Sequence, residues 1–144
     1  MDVTISQNGE FAGWSCWADE PFEYETVGPF YFRHDAQGPV AAFRAEHKHM
    51  NAGGVVHGGC LMSFADFALF AIAHDGIQDT NSYGFTVAFN CEFLAGALKG
   101  QRIEARGEKM GGGRSIQFVR GVVTADDIPV LNFSGTIKMR HNKT

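Results

Sequence analysis

Between Gly58 and Ala73 the hydrophobic positions run almost without a break. Leu61, Met62, Phe64, Ala65, Phe67, Ala68, Leu69, Phe70, Ala71 and Ile72 leave no polar stripe. A helix that is apolar nearly all round is covered on most sides. One buried helix is therefore predicted from His57 to about His74, with Asp75-Gly76 as its stop. Elsewhere the period is two. Phe85, Val87, Phe89, Cys91 and Phe93 alternate with Thr86, Ala88, Asn90 and Glu92, and Leu131, Phe133, Ile137 and Met139 alternate in a final run. Ile103 to Lys109 and Ile116 to Thr124 read as strands between these two, with turns at Gly111-Gly112-Gly113 and Ala125-Asp126-Asp127. Before the helix, Phe30 to His34 and Val40 to Glu46 read as two further strands around a Gln37-Gly38-Pro39 turn.

The order is thus two strands, one helix, four strands. The economical packing is an α+β layer arrangement, a curved antiparallel sheet wrapped around the central helix. Residues 29–144 form this domain. Residues 1–28 are an extension that reads as irregular. Its Trp14, Trp17, Phe22 and Tyr24 pack over the domain or a groove, or sit at a subunit contact.

The chain of 144 residues fits one domain, and its 44% hydrophobic and 19% charged content is that of an ordinary globular protein. A formal net charge of −4 argues against a general nucleic-acid binder, yet leaves room for a local anion pocket. Cys16, Cys60 and Cys91 are odd in number and widely spaced, which suits reduced thiols rather than a disulfide framework. Met1 to Thr4 shows no basic region before an apolar run, and the apolar stretch from Gly58 is short for a membrane span and carries Asp66. A cytoplasmic protein without membrane attachment is expected.

Asp66 is the only charge between Gly58 and Ala73. A carboxylate on an apolar helix is costly unless paired or hydrogen-bonded, and such groups gather at active sites. From pattern alone it equally fits an Asp that ties down a neighbouring loop. Gly58-Gly59 stand at the helix start, where backbone N–H groups lack partners and the dipole favours negative charge. These are the parts of an oxyanion hole, although many helices begin with glycine. Asp66 lies nine residues after His57, roughly 180° around a helix and roughly 13.5 Å along it. The two cannot easily share one substrate atom within one chain; if both are catalytic, a two-fold dimer would set Asp66 of one subunit against the His57-Gly58 end of the other.

Asn51, then His57-Gly58-Gly59, then Asp66, followed by Thr86-Val87-Ala88-Phe89-Asn90-Cys91-Glu92-Phe93-Leu94, resembles the hotdog-fold acyl-CoA thioesterases of the PaaI type. The resemblance spans roughly residues 29 to 140. It implies a hotdog fold, assembly as a homodimer and often a homotetramer, and hydrolysis of an acyl-CoA to free acid and CoA with no metal or other cofactor. It implies Asp66 as general base or nucleophile, the Gly58 N–H as donor to the thioester carbonyl, and Asn51 and His57 as groups that position substrate or water.

The chain also departs from these relatives. Some place a hydroxyl residue one turn after the acid, where this chain has Phe70. Others use a Ser or Thr at the start of the next strand, near Ser82 here. Many carry Arg-Pro after the third-strand aromatic, where Phe93-Leu94 is followed by Ala95-Gly96. For the CoA phosphates, relatives often use the hairpin that here is Gly113-Arg114-Ser115, a turn able to form an anion nest or to be a plain flexible turn. Gly59 is a further candidate, and Lys109 a weaker one.

Other readings fit less well. His47, His49, His57 and Cys60 match no zinc spacing, and His47 and His49 read as surface loop residues. No Gly-x-Ser-x-Gly elbow and no phosphate-loop or dinucleotide fingerprint occurs. A non-catalytic acyl-CoA sensor does not need the carboxylate, and hotdog hydratases place their histidine differently. Phe64, Phe67 and Phe70 fit either an acyl pocket or the core.

Overall fold

The computed structural model describes residues 2–75 and 82–141, with Ser82 described in its backbone only. Eight strands form one antiparallel sheet in the order β1-β2-β3-β4-β6-β7-β8-β5. They are β1 (Thr4–Ile5), β2 (Ser15–Cys16), β3 (Tyr31–Asp35), β4 (Gly38–Arg44), β5 (Ser82–Phe93), β6 (Arg102–Gly112), β7 (Ile116–Ala125) and β8 (Ile128–His141). The single α-helix among the described residues, α1 (Gly58–Ala73), packs against β3 to β8.

Helix α1 begins and ends where chemistry dictates. The Nδ1 of His57, its N-cap, accepts from the Gly59 N–H at 2.8 Å. At the other end His74 is the C-cap, and Asp75 itself takes a left-handed backbone, φ 55°. Gly76, the expected stop, lies outside the described residues. Phe64 and Phe67 are 0% and 1% exposed and join a ring cluster with Trp17, Phe30, Phe32 and Phe43. They are core rather than pocket lining.

In β8 the alternation is as expected, with Leu131, Phe133, Ile137 and Met139 buried against α1. In β5 it is not. Thr86 pairs with Ile137 and Ala88 with Thr136, so Val87 is an extra residue in a bulge. Facing residues of paired strands point to the same side of a sheet. Before the bulge, Gly84 and Thr86 oppose the inward Met139 and Ile137. After it, Phe89 and Cys91 oppose the inward Gly135 and Phe133. Phe85 and Val87 are therefore exposed rather than buried, and Phe93, opposite the inward Leu131 at the end of the strand, is exposed over Gly58. A bulge re-aims side chains in this way, and period-two reading assumes that none is present.

The N-terminal extension is more regular than its composition predicted. Strands β1 and β2 add to the edge of β3, and Pro21–Thr26 forms a π-helical turn. Two-residue strands and a single turn are too short to show any periodicity. Trp17 lies on the α1 side against Phe32 and Phe67, with centroids 4.5 and 5.0 Å away. Phe11 and Trp14 lie on the outer face with Val40 and Ala42.

A 3-10 turn, His47–His49, pins the extension. His49 Nδ1 accepts from the Glu46 N–H at 2.9 Å, and its Nε2–H donates to the Val27 carbonyl at 2.7 Å. Lys48 Nζ donates to the Gly28 carbonyl. His49 is 4% exposed, which corrects the surface-loop reading. Only glycine fits at position 28, because a Cβ there would lie 1.8 Å from the Glu23 carbonyl oxygen.

Candidate active site

The N-terminus of α1 presents four amides that a helix cannot satisfy internally. Three are satisfied locally. The His57 N–H donates to the His49 carbonyl at 2.8 Å, the Cys60 N–H to the His57 carbonyl at 2.9 Å, and the Gly59 N–H to His57 Nδ1. The Gly58 N–H is left without an acceptor among the described residues. The Gly59 amide, a CoA-contact candidate, is thereby engaged within its own chain. Because His57 Nδ1 is an acceptor, the neutral ring carries its proton on Nε2. The exposed imidazole thus offers an N–H donor beside Gly58. The Phe93 ring covers Gly58, and a Cβ on Gly58 would lie 3.1 Å from two of its carbons.

Asn51 closes the loop that leads into α1. Its Oδ1 accepts from the N–H groups of Gly53 and Val55 at 2.9 and 3.1 Å, and its own N–H donates to the Val55 carbonyl at 2.8 Å. Its side-chain NH2 has no partner among the described residues. Its first effect is therefore on the path by which the chain reaches His57.

Asp66 is half-buried in the third turn of α1. Its Oδ1 accepts from the Thr86 hydroxyl. The strand pattern gave Thr86 no role, because it was counted among the residues facing away. The bulge at Val87 turns it toward the helix. Ser82, the hydroxyl considered at sequence level, has its side chain outside the described residues. Phe70 packs beside Gly84, one inward position before Thr86.

A groove of about 380 Å³ opens along α1. Phe22, Val27 and Met50 line it together with His57, Gly59, Cys60 and Ser63. Burial pushes the Cys60 thiol up to about 11, so it is not a thiolate nucleophile at neutral pH. Within one chain the Gly58 amide and the Asp66 carboxylate stand eight residues apart, about 12 Å along the helix. One chain does not bring them together.

The Gly113-Arg114-Ser115 turn is also remote from Gly58. It caps the β6–β7 hairpin, and the Met139 N–H donates to the Ser115 carbonyl at 2.6 Å. That is the Gly84 end of β5, whereas Gly58 lies at the Phe93 end, about 30 Å away along the strand. The Gly113 N–H is spent on the Ile116 carbonyl at 2.8 Å. Arg114 has no carboxylate partner among the described residues.

No helix of the described residues is long and apolar enough to cross a membrane. The free long edge of the sheet is β5, and it carries exposed Tyr83, Phe85, Val87 and Phe93.

Comparison with known proteins agrees with this architecture. PA0474 of Pseudomonas aeruginosa, named a candidate esterase, is 36% identical over 91 residues, covering 60% of this chain. The chain spans 66% of that protein's length. The PaaI protein of the Escherichia coli phenylacetic acid degradation operon superposes with a TM-score of 0.72 at 16% identity, covering 87% of this chain and 88% of its own. A hypothetical thioesterase of Streptococcus pneumoniae TIGR4, solved with coenzyme A, gives 0.65 at 15% identity over 80% of this chain and 91% of its own. These two likenesses establish the hotdog fold. The family model of the thioesterase superfamily matches residues 53–131, which hold His57, Gly58, Asp66 and Thr86, and the chain therefore belongs to the thioesterase superfamily.

Proposed function

We propose that this protein hydrolyses an acyl-CoA thioester to a free carboxylic acid and CoA, in two equivalent sites shared between subunits of a homodimer. The observation that carries the reading is the pairing of two unfinished groups on one helix. Among the described residues, Asp66 has one oxygen engaged by Thr86 and the other without a partner, and the Gly58 N–H has no acceptor. A carboxylate oriented by a hydroxyl and a free amide at a helix N-terminus are the complement of a hydrated carbonyl carbon.

Attack and charge stabilisation then divide between subunits. The free oxygen of Asp66 takes a proton from water, or attacks the carbonyl carbon itself. The Gly58 N–H of the partner subunit donates to the carbonyl oxygen as it gains charge. The His57 Nε2–H stands beside that position, and the Asn51 NH2 group orients water or substrate. In the first route the C–S bond breaks and the departing CoA thiolate takes the proton held by Asp66; in the second its departure leaves an acyl–Asp66 anhydride, which water cleaves to the free acid and the Asp66 carboxylate, a water proton going to sulfur.

Pairing of two β5 edges supports the shared site. A strand of 12 residues at the end of the sheet, paired with β8 on one side only, is a template for a second copy. Antiparallel edge pairing about a two-fold axis runs the two α1 helices in opposite directions, and so brings one helix start toward the middle of the other. The Arg114 guanidinium and Ser115 hydroxyl, remote from Gly58 in their own chain, are offered to the CoA phosphates across such a contact. A homotetramer built from two such dimers is the expected assembly.

The test is an acyl-CoA panel read by titration of free thiol. Thiol release that is lost in Asp66→Asn supports hydrolysis. Binding without thiol release, in the wild type, refutes it. Mixing Asp66→Asn subunits with subunits inactivated at Gly58 restores part of the activity if sites are shared, and restores none in proven heterodimers if they are not.

A further inference from the structure

The groove along α1 reaches the N-terminal end of the helix. His57 and Gly59, the residues on either side of Gly58, both line it. Its apolar lining comes from Phe22, Val27, Met50 and the protonated thiol of Cys60. Its polar side chains are already spent. Both ring nitrogens of His49 are engaged, on the Glu46 N–H and the Val27 carbonyl. Lys48 Nζ donates to the Gly28 carbonyl and stands 4.0 Å from a Glu46 oxygen. The Ser63 hydroxyl donates to the Gly59 carbonyl at 2.8 Å. Among the described residues, the one lining side-chain donor without an acceptor is the His57 Nε2–H, beside Gly58.

We propose that this groove holds the acyl group of the substrate, that the group is apolar and carries no hydrogen-bonding substituent, and that Phe22, on the N-terminal extension, limits its length. The inference rests on the hydrolase reading above.

A thioester whose carbonyl oxygen meets the Gly58 N–H sends out two arms, the acyl chain and the pantetheine of CoA. Pantetheine carries amides and a hydroxyl. In this groove each of them would be desolvated with no partner waiting, a cost that a hydrocarbon chain does not meet. The volume agrees. About 380 Å³ lies at the small end of ligand pockets, room for an acyl group and too little for a whole CoA. The lining is also held in place, as a length limit requires. Phe22 lies on the Pro21–Thr26 turn, which packs against α1. The Val27 N–H closes that turn on the Phe22 carbonyl at 2.9 Å. His49 and Lys48 hold the next two carbonyls, those of Val27 and Gly28. The Phe22 ring itself is half exposed and belongs to neither buried cluster, so it bounds the groove without supporting the fold.

The test uses the full chain and a straight-chain series from butanoyl-CoA to dodecanoyl-CoA, read by thiol release. In the wild type kcat/KM rises about fourfold per methylene, the worth of one buried methylene, until the groove is full, and then falls. In Phe22→Ala the optimum moves to a longer chain, with a gain of about tenfold just beyond the wild-type optimum and a loss for shorter chains. In Phe22→Trp it moves to a shorter chain. A terminal hydroxyl on the optimal chain lowers kcat/KM about ten- to a hundredfold. An optimum that stays in place in both variants overturns the proposal. So does a change equal at every length, which is what a pantetheine contact would give. Alkyl-CoA thioethers, which cannot be cleaved, show the same length dependence as affinities in calorimetry, with the same shift in Phe22→Ala. If no acyl-CoA is cleaved, the hydrolase reading fails by itself, and the thioether affinities still decide whether the groove takes the chain and whether Phe22 limits it.

Discussion

Replacing Gly58 with proline removes one hydrogen-bond donor and little else. Position 58 is the first residue of α1, the place in a helix where proline is best tolerated because the amide there has no internal acceptor. The residue before a proline must be extended, and His57 already is, with φ −56° and ψ 132°. The hydrogen bonds of Gly59, Cys60 and Leu61 to His57 are untouched. The one steric cost is at Phe93, whose ring would lie 3.1 Å from the new Cβ. Phe93 is 54% exposed and free to swing outward. The fold should therefore survive, with a change in stability within about 1 kcal/mol, the range of a compatible proline substitution. If the Gly58 N–H is the oxyanion donor, its loss costs about 3–4 kcal/mol of transition-state stabilisation, a fall of about 10² to 10³ in kcat. Thiol release from an acyl-CoA that the wild type cleaves is the assay, with thermal melting as the control for folding. Wild-type kcat in a normally folded Gly58→Pro protein would refute the oxyanion assignment. Gly58→Ala, which keeps the amide, should lose far less.

Further outcomes follow from the same geometry. Thr86→Val keeps the shape and strand preference of the side chain but removes the donor to Asp66. A charge-assisted bond of this kind is worth about 1.5–3 kcal/mol, so kcat should fall about 10- to 100-fold in the thiol assay while Thr86→Ser stays near wild type. An unchanged Thr86→Val rate would remove Thr86 from the site. Stability should depend on pH through two groups of opposite sign. The folded-state pKa of Glu23, about 7, lies above its usual value of 4.5, so its destabilising charge is absent below that value, grows between the two and is complete above 7. Glu23→Gln should accordingly raise the melting stability by about 1–2 kcal/mol at pH 8, discounted for partial exposure, and by little at pH 4.5. Burial holds His49 below the usual 6.5, so its contribution is present above that value and is lost as pH falls beneath it. The acid-side loss of melting temperature should shrink in His49→Asn; equal slopes in both proteins would contradict the buried, neutral imidazole.

Much of this was legible without coordinates because it depends on near neighbours in the chain. An all-apolar run of helical length has to be enclosed, and alternating strands with one apolar face have to enclose something. That fixed the helix, its covering sheet and the isolation of Asp66. The capping chemistry at His57-Gly58-Gly59 is local too, since three residues suffice to satisfy or leave each amide. The spacing of His57 and Asp66 implied that one chain could not complete the site.

Only the tertiary structure decided the rest, because it turns on residues far apart in sequence. Thr86 reaches Asp66 because one extra residue at Val87 shifts the register of β5 against β8, and a one-residue shift exchanges the two faces of a strand. Nothing in the alternation of Phe85 to Phe93 marks the bulge. His49 is buried because two carbonyl-bearing residues of the extension, Val27 and Gly28, fold back onto the 47–49 turn. The 21–26 turn is brought against α1 for the same reason. The Gly113–Ser115 turn proved distant from Gly58 because strand pairing places them at opposite ends of β5. Charge and hydropathy patterns record how each segment is solvated; they do not record which segments are pressed together.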